Sequence, residues 1–332
     1  MAHFLVQVIL RRNIEHGYRR VYVMKRVRPR ISVITATVNR RDLLLRAIES
    51  VLAQGLDGVE HIVVDNVSTD GTVEMLAKYP HLIVIREPDR CLYEAWNKGL
   101  RRASGDILCF LNSDDEIPAG AFALVCATLA AQPNLDMISG SVEIRRTGSD
   151  GAVETRLVDD VRILALREQD VGPGIPLTNG RYLTPGLVAR VGLFDERYRL
   201  VSDRDYLLRV LLSAPVNVTV SAPLYRYHAH DGSLTLTDTG AVRRLSIESL
   251  TAARNGLLEA PTDEARNAYA RWHAWATSYA AGVEARDLQF GAAAQIVADA
   301  FRRDPAWLLR LPMPILRHIR ERAARRGHRV AT

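Results

Sequence analysis

Between residues 31 and 111, short β-rich runs alternate with helical patterns, and this alternation constrains the chain more than any other feature. Ile31 to Thr37 reads as a strand, and Asn39 is placed to cap a helix whose apolar residues Leu44, Ala47, Ile48, Val51 and Leu52 recur at helical spacing. His61 to Val64 is a second strand running into VDNVSTDGT, where Ser68 or Asp70 can cap a helix around Val73 to Tyr79. Leu82 to Ile85 is a third strand and Leu92 to Ala103 a helix. Ile107 to Leu111 is an apolar strand of the kind buried on both faces. The β-α-β-α order implies an α/β, Rossmann-like, mostly parallel sheet flanked by helices. In such sheets ligands bind beyond the carboxyl ends of the strands, so the polar residues there come first for chemistry.

Those positions carry acids. Asp65 ends one strand, and Asp114 and Asp115 follow another in FLNSDD, so three carboxylates can converge on one edge of the sheet. Adjacent aspartates repel one another unless a cation or hydrogen-bond donors offset the charge. Hard oxygen ligands suit Mg2+ or Mn2+, which can bridge the two phosphates of a nucleotide. Equally, Asn112 to Asp115 can form a polar turn that caps a helix after Pro118.

Composition narrows the classes. With 48% apolar and 25% charged residues over 332 positions, the chain is an ordinary globular one with room for one large domain and an appendage. Cys91, Cys109 and Cys126 are too few and unpatterned for a disulfide framework or a zinc site, which favours a reducing compartment. No run is long and apolar enough to span a bilayer, and Phe4 to Leu10 lacks the flanks of a secretion signal. A cytoplasmic protein is expected. Of the net charge of +6, residues 1 to 30 hold +7 and the stretch from Arg302 to Arg329 another +7, leaving the body between them at −8. An acidic body argues against nucleic acid as a partner, while the basic ends permit peripheral contact with anionic lipid at the inner face of the plasma membrane.

Four segments in this order, ISVITATVNR, VVDNVSTDGT, REPDRCLYEAWNKGL and GDILCFLNSDD, resemble the family 2 glycosyltransferases with the GT-A fold. The likeness runs from about Pro29 to Tyr227. Within the family it is similar to a bacterial subgroup that decorates lipids and surface polysaccharides, departing from it at Cys91, where glycine is usual, and at Glu94, where aspartate is common. The resemblance implies an inverting enzyme that moves a sugar from a nucleotide-diphosphate donor, usually UDP-linked, to a glycan or lipid-linked acceptor. Thr35 and Ala36 would approach the base and ribose, Asp65 would bond the nucleobase, and Arg86 or Asp89 would help to close that pocket. Asp114 would sit near the ribose or metal, and Asp115, third in Ser113-Asp114-Asp115, would ligate Mg2+ or Mn2+ directly. Tyr93, Asn97 and Lys98 would border the donor site or else form ordinary helix faces.

An inverting transfer needs a base for the acceptor hydroxyl. Where many members carry Glu-Asp, this chain has Ser202-Asp203, which makes Asp203 the candidate, with Asp205 the alternative. In YRYHAHDGSLT, His228 is the candidate imidazole for the metal or diphosphate, ahead of His230, and Asp195 reads as a turn former. The organisation expected is a basic extension over 1–29, a GT-A domain over 30–236, and a C-terminal helical extension over 237–332 ending in a basic amphipathic tail. A non-catalytic partner of the same fold in a polysaccharide assembly stays open. A dinucleotide-dependent oxidoreductase does not fit, because ATVNRR stands where G-x-G-x-x-G is required.

Overall fold

In the computed structural model, residues 6–9, 23–26, 29–147, 152–159, 164–166, 178–229 and 239–311 are described. Near the N-terminus, β1 (Val6–Ile9) pairs antiparallel with β2 (Val23–Arg26), a small ladder within the segment expected only as a basic extension. His230, the expected boundary at 236/237 and residues beyond 311 lie outside the described residues.

The chain divides into two compact units. The first is built on an eight-stranded sheet. Its parallel part is β3 (Ile31–Thr37), β4 (Val59–Asp65), β5 (Leu82–Arg86) and β6 (Ile107–Phe110), in the order β6-β3-β4-β5. These strands match the expected ones to within two residues at either end. Beyond β6 the sheet continues with β9 (Arg181–Leu183) and β7 (Met137–Thr147), antiparallel to their neighbours. β8 (Val153–Val158) pairs antiparallel with β7, and β10 (Asn217–Ala229) lies on its other side. Period-two patterning does not reveal which strands run antiparallel, so only the parallel half was legible.

Helices α1 (Arg41–Leu52), α2 (Thr72–Leu76), α3 (Leu92–Arg102), α4 (Ala121–Ala131) and α5 (Pro185–Val191) complete this unit. α1 buries Leu44, Ala47, Ile48 and Val51, whereas Leu52 is exposed and does not join the core as its spacing suggested. Leu44 and Ile48 meet Val63, Met75 and Leu76 in one apolar cluster. α3 lies against β3, where Gly99 is needed: a Cβ there would sit 2.3 Å from Ile34 Cγ2. The Trp96 ring stacks on Phe110 at 4.5 Å, fixing the rotation of α3 over β6.

The caps differ from expectation. Arg40, not Asn39, precedes α1. Asn39 instead takes a positive φ of 49°, its Oδ1 accepting from the Thr69 N–H at 2.8 Å and its own N–H donating to Ser68 Oγ at 2.8 Å. Asp70 serves the start of α2 by accepting from the Thr72 N–H at 3.1 Å, and α2 is one short turn, ending three residues before Tyr79.

The second unit is helical: α6 (Ser202–Leu212), α7 (Thr239–Glu259), α8 (Asp263–Arg286), α9 (Phe290–Arg303) and a 3-10 turn over Trp307–Arg310. Its core joins Tyr198, Val201 and Leu208 to Ala252, Tyr269 and Trp272. Small residues let the helices approach closely, and a Cβ on Gly256 would lie 2.1 Å from Tyr269 Cε1. Residues 194–214 therefore group with the C-terminal helices, a division unlike a single cut near 236. Among the described residues no helix is long and apolar enough to cross a membrane.

Candidate functional site

Two strand ends on either side of β3 carry the acids. Asp65, the last residue of β4, is fully buried, and its two oxygens accept from the Ser68 N–H at 3.3 and 3.1 Å. Arg86 is its register partner on β5 and brings Nε to 3.5 Å from Asp65 Oδ2 while about half of its side chain stays exposed. A buried carboxylate under a half-open guanidinium is an acceptor with one wall already built.

The loop after β5 is tied down by Asn66, which the sequence did not single out, and by Lys98. Asn66 bonds the Asp89 backbone in both directions, Nδ2 donating to the carbonyl at 3.0 Å and Oδ1 accepting from the N–H at 2.8 Å. Lys98, on α3, reaches Asp89 at 2.5 Å and the Pro88 carbonyl at 2.8 Å. Burial pushes the Asp89 carboxyl up despite Lys98. The Asp89 side chain is thus paired with Lys98. Asn97, one residue before Lys98, is buried on the inner face of α3. Thr35, expected beside the base and ribose, is fully buried with its hydroxyl 2.9 Å from His61 Nε2, so this side chain is turned into the sheet. Ala36 is half-buried. Val67, next to the Asp65 turn, holds a φ of 51°, rare for a β-branched residue.

At the other strand end, β10 returns behind the acid pair. Asp115 is fully buried and accepts three bonds: from Tyr225 Oη at 2.6 Å, Asn112 Nδ2 at 3.0 Å and the His228 N–H at 2.9 Å. Burial, with the Asp114 charge beside it, pushes its carboxyl up to about 7. Asp114 accepts from Arg40 Nη1 at 2.6 Å, and its carbonyl from Arg46 Nη2 at 2.5 Å. The ring of His228 lies with Nε2 2.5 Å from Glu116. Burial lowers the His228 pKa, and Glu116, though half-buried, is held below its usual value by His228 and Arg226. A neutral imidazole donating from Nε2 to an ionised Glu116 satisfies both directions and leaves Nδ1 with its lone pair. Arg226 joins Glu116 to Glu143, at 3.5 and 3.2 Å.

Of the two expected metal residues, Asp115 accepts from the backbone of His228, while the His228 ring is turned to Glu116. A carboxylate offers about four lone-pair directions, of which Asp115 uses three, so one stays available. The donor set of hard oxygens and one imidazole oriented by a carboxylate fits Mg2+ or Mn2+. Among the described residues no group of three or more His, Cys, Asp and Glu side chains forms a ready-made metal site. Glu116, Arg226 and Tyr225 were missed, although the run DDE and the string YRYHAH contain them; their pairing spans more than a hundred residues.

In the second unit, Asp203 and Asp205 both lie in the first turn of α6. Asp205 is buried, accepting from Tyr269 Oη at 2.7 Å and Arg209 Nε at 2.9 Å, which fixes it as a brace between helices. Asp203 is half-buried. Asp195 forms a turn as expected, accepting from the Arg197 N–H at 2.9 Å.

The sequence model of glycosyl transferase family 2 matches residues 32–178. An uncharacterized glycosyltransferase of Mycobacterium tuberculosis is 31% identical over 197 residues, covering 57% of this chain and 72% of that protein. A PGL/p-HBAD biosynthesis glycosyltransferase of Mycobacterium bovis is 27% identical over 237 residues, covering 68% and 88%. In fold, a mannosyltransferase from Pyrobaculum calidifontis, solved with GDP-Man and Mn2+, is similar with a TM-score of 0.55 at 20% identity, over 86% of each chain.

Proposed function

The chain belongs to glycosyl transferase family 2, and from that premise we propose that it transfers a sugar, with inversion, from a nucleotide diphosphate to a hydroxyl of a glycan or lipid-linked acceptor in cell-surface synthesis. The observation that carries this reading is the pair of buried acid positions, Asp65 and Asp114-Asp115, on either side of one parallel strand, where α/β sheets hold nucleotides. Asp65 is set to accept an N–H from the base edge with Arg86 beside it. Uracil offers that N–H, and UDP is the nucleotide proposed. Ala36 and Asn97 would border the donor, and Asp114 would take the ribose hydroxyls in exchange for Arg40.

Asp115 and His228 would hold Mg2+ or Mn2+, which when bound screens the charge growing on the diphosphate as it leaves. Glu116 keeps the His228 ring in one tautomer. Asp203 is the proposed base. It takes the proton of the acceptor hydroxyl as that oxygen bonds the anomeric carbon on the face opposite the departing diphosphate, which carries off the electron pair of the broken C–O bond. The engagement of both Asp205 oxygens supports Asp203 over Asp205. The relative named for PGL/p-HBAD biosynthesis supports a surface glycoconjugate as acceptor class, and the reading places the enzyme in the cytoplasm, in peripheral contact with the inner face of the membrane. The test is Asp203→Asn: transfer falls by about 10²–10⁴-fold while the affinity for UDP stays as in the wild type. Wild-type turnover in that variant would remove Asp203 from the mechanism.

A further inference from the structure

The outer surface of the second unit is more apolar than its distance from the core explains. α9 buries only Ala300. Phe290, Ala294, Ala298 and Phe301 recur at intervals of four, four and three and lie on one side of the helix, all exposed, with Phe290 at 64%. Just before them Leu288 is 74% exposed, and just after them the 3-10 turn presents Leu309 at 82%. That turn is not loosely hung. Trp307 and Leu311 are buried against Ala274 and Ala300, and Phe301 meets the Trp307 ring edge-on at 5.8 Å, so the leucine is held outward by a fixed base.

The charges around this surface have one sign to spare. Arg302 and Arg303 are exposed and follow Phe301 directly, while the nearby acids Asp287, Asp299 and Asp304 each already face an arginine: Arg286, Arg302 and Arg310. In sequence, residues 312–332 add six arginines against Glu321. Exposed leucine and phenylalanine gathered together mark a surface that meets something apolar. Arginine flanking selects an anionic occupant, and a second copy of the chain would bring the same arginines face to face. No helix among the described residues crosses a bilayer, which leaves contact in the plane of the surface.

We propose that the outer face of α9 and the following 3-10 turn lies on an anionic lipid bilayer, with Leu288, Phe290, Phe301 and Leu309 entering the headgroup boundary and Arg303, with Arg302 in exchange for Asp299, meeting lipid phosphates. This gives a place in the fold to the peripheral contact of the reading above, and extends it from the basic stretch that begins at Arg302 back to Leu288. It rests on the surface of the second unit alone, so its failure leaves the donor-site reading intact.

The experiment is flotation of the full chain with vesicles of phosphatidylcholine, alone or mixed with phosphatidylglycerol. The wild type binds the anionic vesicles at least about tenfold more tightly than the neutral ones, since each arginine near such a surface contributes several-fold. Leu288→Ser/Phe290→Ser/Leu309→Ser loses about tenfold in binding to anionic vesicles while its melting temperature and its nucleotide release in the absence of vesicles match the wild type. Arg302→Gln/Arg303→Gln weakens binding and reduces its salt dependence. Equal binding by the wild type and the triple serine variant overturns the proposal, as does a wild type that binds neither vesicle. A wild-type dimer that the serine variant converts to monomer, with no vesicle binding by either, assigns the face to a second copy and overturns it too.

Discussion

His61 lies in β4, next to β3, with 1% of its surface exposed, and it links the stability of the first unit to pH. Its Nε2 meets Thr35 Oγ1 at 2.9 Å, and its Nδ1 is buried with no hydrogen-bond partner. Protonation would put a charge and an unanswered N–H into the core, so burial, with a smaller contribution from His81, lowers its pKa from 6.5 to about 3. Because the folded-state value is depressed, the unfolded chain takes up this proton first. The stability is intact above about pH 6.5 and declines as pH falls from there towards 3. At pH 5 the unfolded chain has gained roughly 1.5 units of protonation free energy that the folded chain has not, about 2 kcal/mol at ~1.4 kcal/mol per unit. His61→Gln keeps an amide within reach of Thr35 and cannot titrate. Urea unfolding followed by circular dichroism at pH 7, 6 and 5 separates the two proteins: the wild type loses about 2 kcal/mol more than the variant between pH 7 and 5. Other groups that titrate in this range, such as His273, are common to both and cancel in the difference. The same pH slope in both proteins would refute the reasoning.

Other outcomes follow from the same geometry. Val67 pays for its positive φ with about 1 kcal/mol of left-handed strain, so Val67→Gly raises the melting temperature, and a lower one would show that the side chain contributes more than the strain costs. Asp205→Asn breaks a charged brace to Arg209 and weakens the bond from Tyr269, and it destabilises the second unit by about 1–3 kcal/mol in thermal melts without changing the affinity for UDP; loss of nucleotide binding there would reassign the residue.

The parts of this protein legible from its sequence are those written in local patterns. The strands β3 to β6 show as apolar runs, and Asp65 and Asp115 stand where such strands end, so their positions could be read without coordinates. What escaped depends on chain returning from far away. Tyr225 and His228 close on Asp115 from β10, and Arg226 joins Glu116 to Glu143, none of which any spacing near residue 115 announces. Asn39 looked like a cap because such residues usually are; here its amide clasps the Thr69 turn instead, and α1 begins one residue later without a side-chain cap. The partner of Thr35 was not legible for a related reason: on a buried strand its hydroxyl finds one within the sheet, and His61 supplies it. Leu52 continues the helical spacing of α1 but lies at the edge of its apolar face and is exposed, while Val51 beside it is buried.

The most direct test of the account is calorimetric titration of UDP into the wild type and into Asp115→Asn, each with Mn2+ and with excess EDTA. The wild type should bind UDP about tenfold or more tightly with the ion, the ~1.4 kcal/mol or more that a charge-assisted contact supplies, and Asp115→Asn should bind it with the weaker affinity under both conditions. An affinity that is the same with and without Mn2+, or a variant that keeps the full response to the ion, would contradict the site described for Asp115 and His228.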